Sequence, residues 1–295
     1  MNQVKATLKI SLPLCNKEKK LTANQIACFQ KVIWDFYSCN KREFAWRNCD
    51  NPYYIFISEV MLQQTQTHRV VSKFEEFIIS FPDFESLSEA SLAEVLSVWQ
   101  GLGYNRRGKY LHQSAQRIVE YYDGFLPDDP SALVQLPGIG PATAASIAAF
   151  AYNAPTIFIE TNIRSVFIHT FFNKSAEKID DKILLDLIEQ TVDTSNAREW
   201  YYALMDYGVY LKKNLLNPSR KSKHYSKQSK FEGSKRQIRG AIIKILLQQK
   251  SMSVKDLTKN IADKENRTAC VVEDLVDEEL ITKNSQDILS IKDKL

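Results

Sequence analysis

Three short stretches hold residues whose types and spacing could do chemistry. In Ile57-Ser58-Glu59-Val60-Met61-Leu62-Gln63-Gln64-Thr65-Gln66, one carboxylate sits inside an apolar run and is followed by amides and a hydroxyl. A carboxylate in such surroundings is costly unless it is paired or used, and apolar neighbours push its pKa up, towards a usable acid. Gln63 and Gln64 carry unbranched amides suited to probing base edges. The plain alternative is a Gln-rich surface turn with Glu59 in a salt bridge. In Phe158-Ile159-Glu160-Thr161-Asn162-Ile163-Arg164, Glu160 ends an apolar run and opens a helix, where the dipole favours a negative charge whatever its chemistry. In Leu136-Pro137-Gly138-Ile139-Gly140-Pro141-Ala142-Thr143-Ala144, two glycines make a tight turn before an Ala-rich helix. Such a turn lets a backbone approach a phosphate closely, and the helix aims free N–H groups at the anion. This is a helix-hairpin-helix signature, a clamp on the DNA backbone that ignores sequence; Gly138, Gly140 and Thr143 are its expected contacts.

The elements that must hold these groups are mostly helices. Thr22 and Gln25 form a capping box before Ile26, Phe29, Ile33 and Phe36 at helical spacing. Asn51-Pro52 opens a helix expected to reach Gln66. Ser91 and Glu94 cap another, which stops at Gly101. Further helices are expected near 105–122, 141–152, 161–172, 181–193 and 197–213. No convincing alternating strand precedes residue 280, so the fold class is all-α. The expected division is a tail (1–21), a helical domain (22–216), a basic linker (217–237) and a small domain (238–295). In that last segment three helices precede a hairpin with the turn Asn284-Ser285-Gln286-Asp287, the layout of a winged helix or of a generic helical docking domain. The acids on its third helix argue against deep entry into a DNA groove.

Composition narrows the class. The chain has 295 residues, 44% hydrophobic and 25% charged, with a net charge of +4. Residues 217–240 carry eight Lys or Arg against one acid, so the rest of the chain is slightly acidic. That concentration points to a polyanion, with Lys221, Lys223 and Lys227 as contacts, or to a solvated linker. No apolar run approaches a bilayer span, and no secretory signal is expected at the N-terminus. The five cysteines form no metal or disulfide pattern, which fits an intracellular, cytoplasmic setting.

Taken in order, these segments resemble the helix-hairpin-helix DNA glycosylases of the endonuclease III superfamily, and most of all their A/G-specific adenine glycosylase (MutY) branch. Supporting strings are Phe44-Ala45-Trp46-Arg47, Asn51-Pro52-Tyr53, Trp99-Gln100-Gly101-Leu102-Gly103-Tyr104 and Met205-Asp206-Tyr207-Gly208, and the likeness covers roughly residues 22–211. The resemblance implies that Glu59 protonates a flipped adenine. It also implies that Gln64 wedges into the vacated stack, that Tyr104 packs near the partner base, and that Arg47 joins the DNA contacts. Glu160 stands where the family has an aspartate that stabilises the sugar cation. Glycosidic cleavage needs such a pair, one acid and one ionised carboxylate, and the base must leave the stack to be reached. The partner would be double-stranded DNA with a mispaired or damaged base, bound by a monomer. A monovalent cation on the backbone carbonyls of Leu136 and Gly138 is implied by the resemblance alone.

The chain departs from that pattern in four places. Glu160 adds a methylene to the aspartate's reach, and a misplacement of about 1 Å can cost ~100-fold in rate. Ala142 replaces the lysine of the lyase-active members, so a Schiff base is not expected and the enzyme should be monofunctional, without AP lyase activity. No cysteine lies between Cys49 and Cys270, so no iron–sulfur cluster is expected. The family's domain that reads 8-oxoguanine is not expected, the short C-terminal unit standing in its place. The leading expectation is a base excision repair glycosylase; the alternative is a catalytically silent DNA-binding lesion sensor or regulator.

Overall fold

The computed structural model describes residues 20–228, 230–261, 263 and 267–292. The expected tail lies outside these up to residue 19. Helices begin where caps place them. α1 (Ala23–Asn40) starts at the Thr22–Gln25 box with both reciprocal bonds made. α2 (Pro52–Leu62) opens on Asn51, whose side chain accepts the Tyr53 N–H. Then follow α3 (Thr67–Ser80), α4 (Phe84–Glu89), and α5 (Leu92–Trp99) with its Ser91–Glu94 box. α6 (Arg106–Tyr122), α7 (Pro130–Leu133), α8 (Pro141–Tyr152), α9 (Thr161–Phe171), α10 (Asp181–Thr191) and α11 (Ala197–Asn214) come next. After a 3₁₀ turn at Pro218–Lys221 come α12 (Lys235–Gln249), β1 (Ser251–Ser253), α13 (Val254–Asn260), α14 (Thr268–Asp277), β2 (Ile281–Lys283) and β3 (Ile288–Ile291).

Two expectations change. α2 ends at Leu62, not Gln66, because Gln64 takes a left-handed φ of 54° that no helix accommodates. A strand also forms before residue 280: β1 is only three residues long, too short to show alternation, and it exists by pairing antiparallel with β3. The sheet order is β1-β3-β2, with Thr282 opposite Ser290 in the anticipated hairpin.

Contacts divide the chain into two units that each take two stretches of sequence: Met1–Asp50 with Gly140–Lys227, and Asn51–Ile139 with Gln228–Leu295. The expected borders at 216 and 238 are therefore not where the contacts divide.

In the first unit, α9 and α11 pack closely because residue 208 is glycine. A Cβ there would lie 2.4 Å from the Asn162 carbonyl oxygen. Phe29 fills the core between Phe167 and Trp200, its ring centroid 5.3 and 5.9 Å from theirs. The supposed linker begins as part of this core. Pro218, Ser219 and Ser222 are buried, and Ile179 exchanges backbone bonds with Lys221 and Lys223 at 2.8 and 2.9 Å.

In the second unit, α5 contributes Leu92 and Leu96 to a core completed by Ile238, Ile242, Leu246, Leu275 and Leu289. The C-terminal residues are thus built into this unit's interior, which the composition shift at 217 did not reveal. The acids just past the third C-terminal helix are used here. Glu278 pairs with Arg106 and Arg239, and Glu279 lies 2.9 Å from Lys109 and 2.8 Å from Lys292.

Candidate nucleic-acid interface

In the second unit, Glu59 occupies the one half-buried position in the Ile55–Met61 run of α2. Its neighbours Ile57, Ser58, Val60 and Met61 are buried, so Glu59 is the one residue of this run that is partly exposed. The full burial suggested by the sequence is not reached.

Beyond Glu59 the helix ends in a loop of unusual backbone. Gln63 donates through Nε2 to the Gly138 carbonyl at 3.3 Å. Gln64 is exposed at φ 54°, and Tyr104, in the loop between α5 and α6, has φ 50°. Non-glycine residues in this region cost free energy and persist only where their surroundings hold them. The main holder is Arg107. Its Nη1 donates to the carbonyls of Val60 and Met61 at 2.7 and 2.9 Å. Its Nη2 donates to Thr65 Oγ1 at 2.8 Å and the Gly103 carbonyl at 3.2 Å. One guanidinium therefore ties the end of α2 and the Gln64 loop to the Tyr104 loop. Burial is the main reason its pKa drops to about 10, with the Arg69 charge adding to the effect. Trp99 supports the same loop through Nε1, which donates to the Gly103 carbonyl at 3.1 Å. Sequence reasoning missed Arg107; its signal was a basic residue in the first helical turn after the Gly103-Tyr104 pair.

The first half of the hairpin belongs to this unit. Leu136 and Ile139 are buried and anchor the turn, while Gly138 is exposed at φ 77°. A Cβ on Gly138 would lie 2.9 Å from the Tyr110 ring, so both backbone and packing require glycine. The Leu136 carbonyl accepts the Ile139 N–H at 3.2 Å and the Gly138 carbonyl accepts Gln63. A cation on these two oxygens would share both. Gln63, Gln64, Tyr104 and Gly138 all line one cavity of about 530 Å³ whose charged wall includes Arg106, Lys235 and Arg239. Glu59 is not among its lining residues.

The first unit holds the rest. Gly140 caps α8, exposed, with nothing within 4 Å of the place a Cβ would take. Thr143 is in the first turn of that helix, half-buried. Glu160 is the N-cap of α9. Its Oε1 accepts the N–H groups of Asn162 and Ile163 at 2.6 and 2.7 Å, and Oε2 accepts Asn162 Nδ2 at 3.1 Å. Beside it, Lys212 reaches Asn162 Oδ1 at 2.9 Å. Burial lowers the Lys212 pKa against the pull of Glu160.

Arg47 corrects the expectation of a DNA contact. Its side chain is 2% exposed and pairs with Asp206 at 3.0 Å, below the Tyr202 ring at 4.3 Å. A guanidinium so enclosed and paired supports the fold and cannot present itself to a phosphate. Arg42 completes the cluster, 2.7 Å from Asp206. Lys221 is likewise committed, donating to the carbonyls of Asn173 and Ser175. Lys223 lies 3.5 Å from Asp180, and Lys227 is exposed. An iron–sulfur cluster has no fitting ligands: no cysteine follows α11 until Cys270, and among the described residues no group of three His, Cys, Asp or Glu could hold a metal. Nor is any described helix long and apolar enough to cross a membrane.

Comparison with known proteins agrees with this geometry. The family described as HhH-GPD superfamily base excision DNA repair protein matches residues 57–190. The chain is 33% identical over 185 residues to the adenine DNA glycosylase of Buchnera aphidicola subsp. Acyrthosiphon pisum (strain APS), covering 61% of this chain and 53% of that protein. It is 30% identical over 196 residues to the adenine DNA glycosylase of Homo sapiens, covering 63% and 36%. The chain thus spans about half the length, or less, of these relatives. A solved thermostable thymine-DNA glycosylase is 27% identical with a TM-score of 0.57, covering 62% of this chain and 85% of that one. A trapped endonuclease III–DNA covalent intermediate shares the fold at 17% identity and a TM-score of 0.54, covering 65% and 88%. Residues 57–190 thus match the HhH-GPD family, and the mostly helical fold is like that of endonuclease III.

Proposed function

We propose that this protein is a monofunctional DNA glycosylase that flips a mispaired or damaged base, adenine first, and hydrolyses its N-glycosidic bond. One observation carries the reading. The helix bearing the accessible Glu59 runs straight into a strained loop, and that loop shares a cavity with Tyr104 and the hairpin glycine Gly138. An acid placed next to residues that probe a duplex is what base removal requires. Glu59 would donate a proton to the leaving base, and Glu160 would supply negative charge for the sugar cation. The N–H groups of Gly138 and Gly140, with Thr143, would hold the DNA backbone. Lys223 and Lys227 would add a salt-sensitive contact, while Lys221 shapes its own loop. Ala142, exposed in the first turn of α8, offers no amine for a Schiff base. The order of C-terminal helices and strands suits a winged helix whose acidic third helix serves packing rather than DNA entry. The protein would act as a monomer on double-stranded DNA inside the cell, with no redox cofactor.

A specific observation favours a second reading, a silent DNA-binding sensor: both oxygens of Glu160 are already used by the head of its own helix. Duplexes with single A:G, A:8-oxoguanine, hypoxanthine:C, U:G and T:G sites decide between the two. Incubation followed by hot alkali should break the strand at one of these sites, and Glu59→Gln should abolish the break. Tight binding without alkali-labile sites on every duplex would establish the sensor.

A further inference from the structure

The Tyr104 side chain is held by residues from far along the chain. Arg107 and Trp99, close in sequence, fix the loop backbone through the carbonyl of Gly103. The phenol is fixed from elsewhere: its oxygen accepts Arg236 Nη1 at 3.1 Å and also the Gln228 amide. The Arg236 guanidinium stands 5.6 Å from the ring centroid, as does that of Arg107. Arg236 is in the first turn of α12 and Gln228 lies within the basic segment; both belong with Tyr104 to the second unit.

We infer that Arg236 is a positioning residue for base discrimination: through its bond to the Tyr104 hydroxyl, the C-terminal segment sets where the phenol meets the base pair beside the target. This rests on the proposed glycosylase reading and extends it to a residue outside the HhH-GPD match. A bulky residue at positive φ stays put only when its surroundings over-determine it. Here the backbone constraints leave the phenol free to choose a direction, and a charged donor removes that choice. The ring's approach to DNA is thereby set by α12.

The test is a double-mutant cycle of Arg236→Gln and Tyr104→Phe. It is read as the ratio of single-turnover excision on the best mispaired duplex to that on the matched duplex. Each single variant should lower that ratio about tenfold, the scale of one charge-assisted bond. The double variant should lower it no further, because one pathway is cut twice. Arg236→Lys should recover part of the loss, and thermal midpoints should match the wild type. Additive losses, with a flatter salt dependence of binding in Arg236→Gln alone, would overturn the inference and make Arg236 a phosphate contact. A loss that follows a lowered thermal midpoint would overturn it too, leaving only a brace. If the wild type excises no base, the proposed activity has failed. The cycle is then read on the ratio of dissociation constants for mispaired and matched duplex, where additivity overturns the inference and non-additivity supports it.

Discussion

The two units solve the placement of a functional side chain in opposite ways. Glu160 is positioned by its immediate successors: Asn162 and Ile163 bind its carboxylate, so a single helical turn of local sequence suffices. The Gln64 loop is held by Arg107 from 42 residues beyond Thr65, and the Tyr104 phenol by Arg236 across 132. Local placement is rigid and cheap to encode, but its bonds occupy the group they hold. Long-range placement leaves the side chain's working face unspent and couples it to remote parts of the unit.

Breaking each side should therefore have unequal results. Glu59→Gln should reduce base excision by about 10²–10⁴-fold while duplex affinity holds, the usual range for loss of a general acid, as measured in single-turnover assays. Glu160→Gln should do less to the rate than Glu59→Gln if capping is its main task. Equal losses would show that the capped carboxylate also works on the substrate. Arg107→Met removes one guanidinium and strands several loop oxygens at once, so urea unfolding should show a loss of about 3 kcal/mol. Gly138→Ala should cost about 1–2 kcal/mol and weaken duplex binding, since it meets both a positive φ and the Tyr110 ring. Gly140→Ala, which meets no neighbour, should leave stability nearly unchanged in the same melt.

The smallest effect concerns acid. Hydrogen bonds from Lys292 and Lys109 hold the Glu279 carboxyl down to about 2 from an ordinary 4.5. Burial alone would raise Glu278, but the guanidiniums of Arg106 and Arg239 outweigh it and lower its pKa. Depressed carboxylates contribute stability above pH 4.5 that is lost as pH falls towards 2. Glu279→Gln and Glu278→Gln should each flatten that acid limb slightly in a pH series of melts.

What could be read from the sequence follows the same line. The Asn51 and Ser91 caps, the hairpin and the span of α8 rest on signals a few residues wide, and all are found. α3 was overlooked although Val70, Phe74 and Phe77 fall on one helical face. Arg47 was misassigned because its partner, Asp206, lies 159 residues away, and no local pattern announces such a pairing. Separations of 42 to 47 residues likewise hid Arg107's acceptors at Thr65, Met61 and Val60, and one of 172 hid Arg106 from Glu278. A lone basic residue looks alike whether it faces a phosphate or a carboxylate inside the fold.

The division of contacts also bears on how the chain is made. Each unit combines an early stretch with a late one, so on the ribosome neither can close its core as it emerges. Leu92 and Leu96 are synthesised some 140 residues before the Ile238–Leu246 face that covers them. A nascent chain must carry that apolar face bare through about half of its synthesis. Truncation within α12 should therefore yield a chain that associates with itself or with folding helpers, rather than a soluble catalytic fragment.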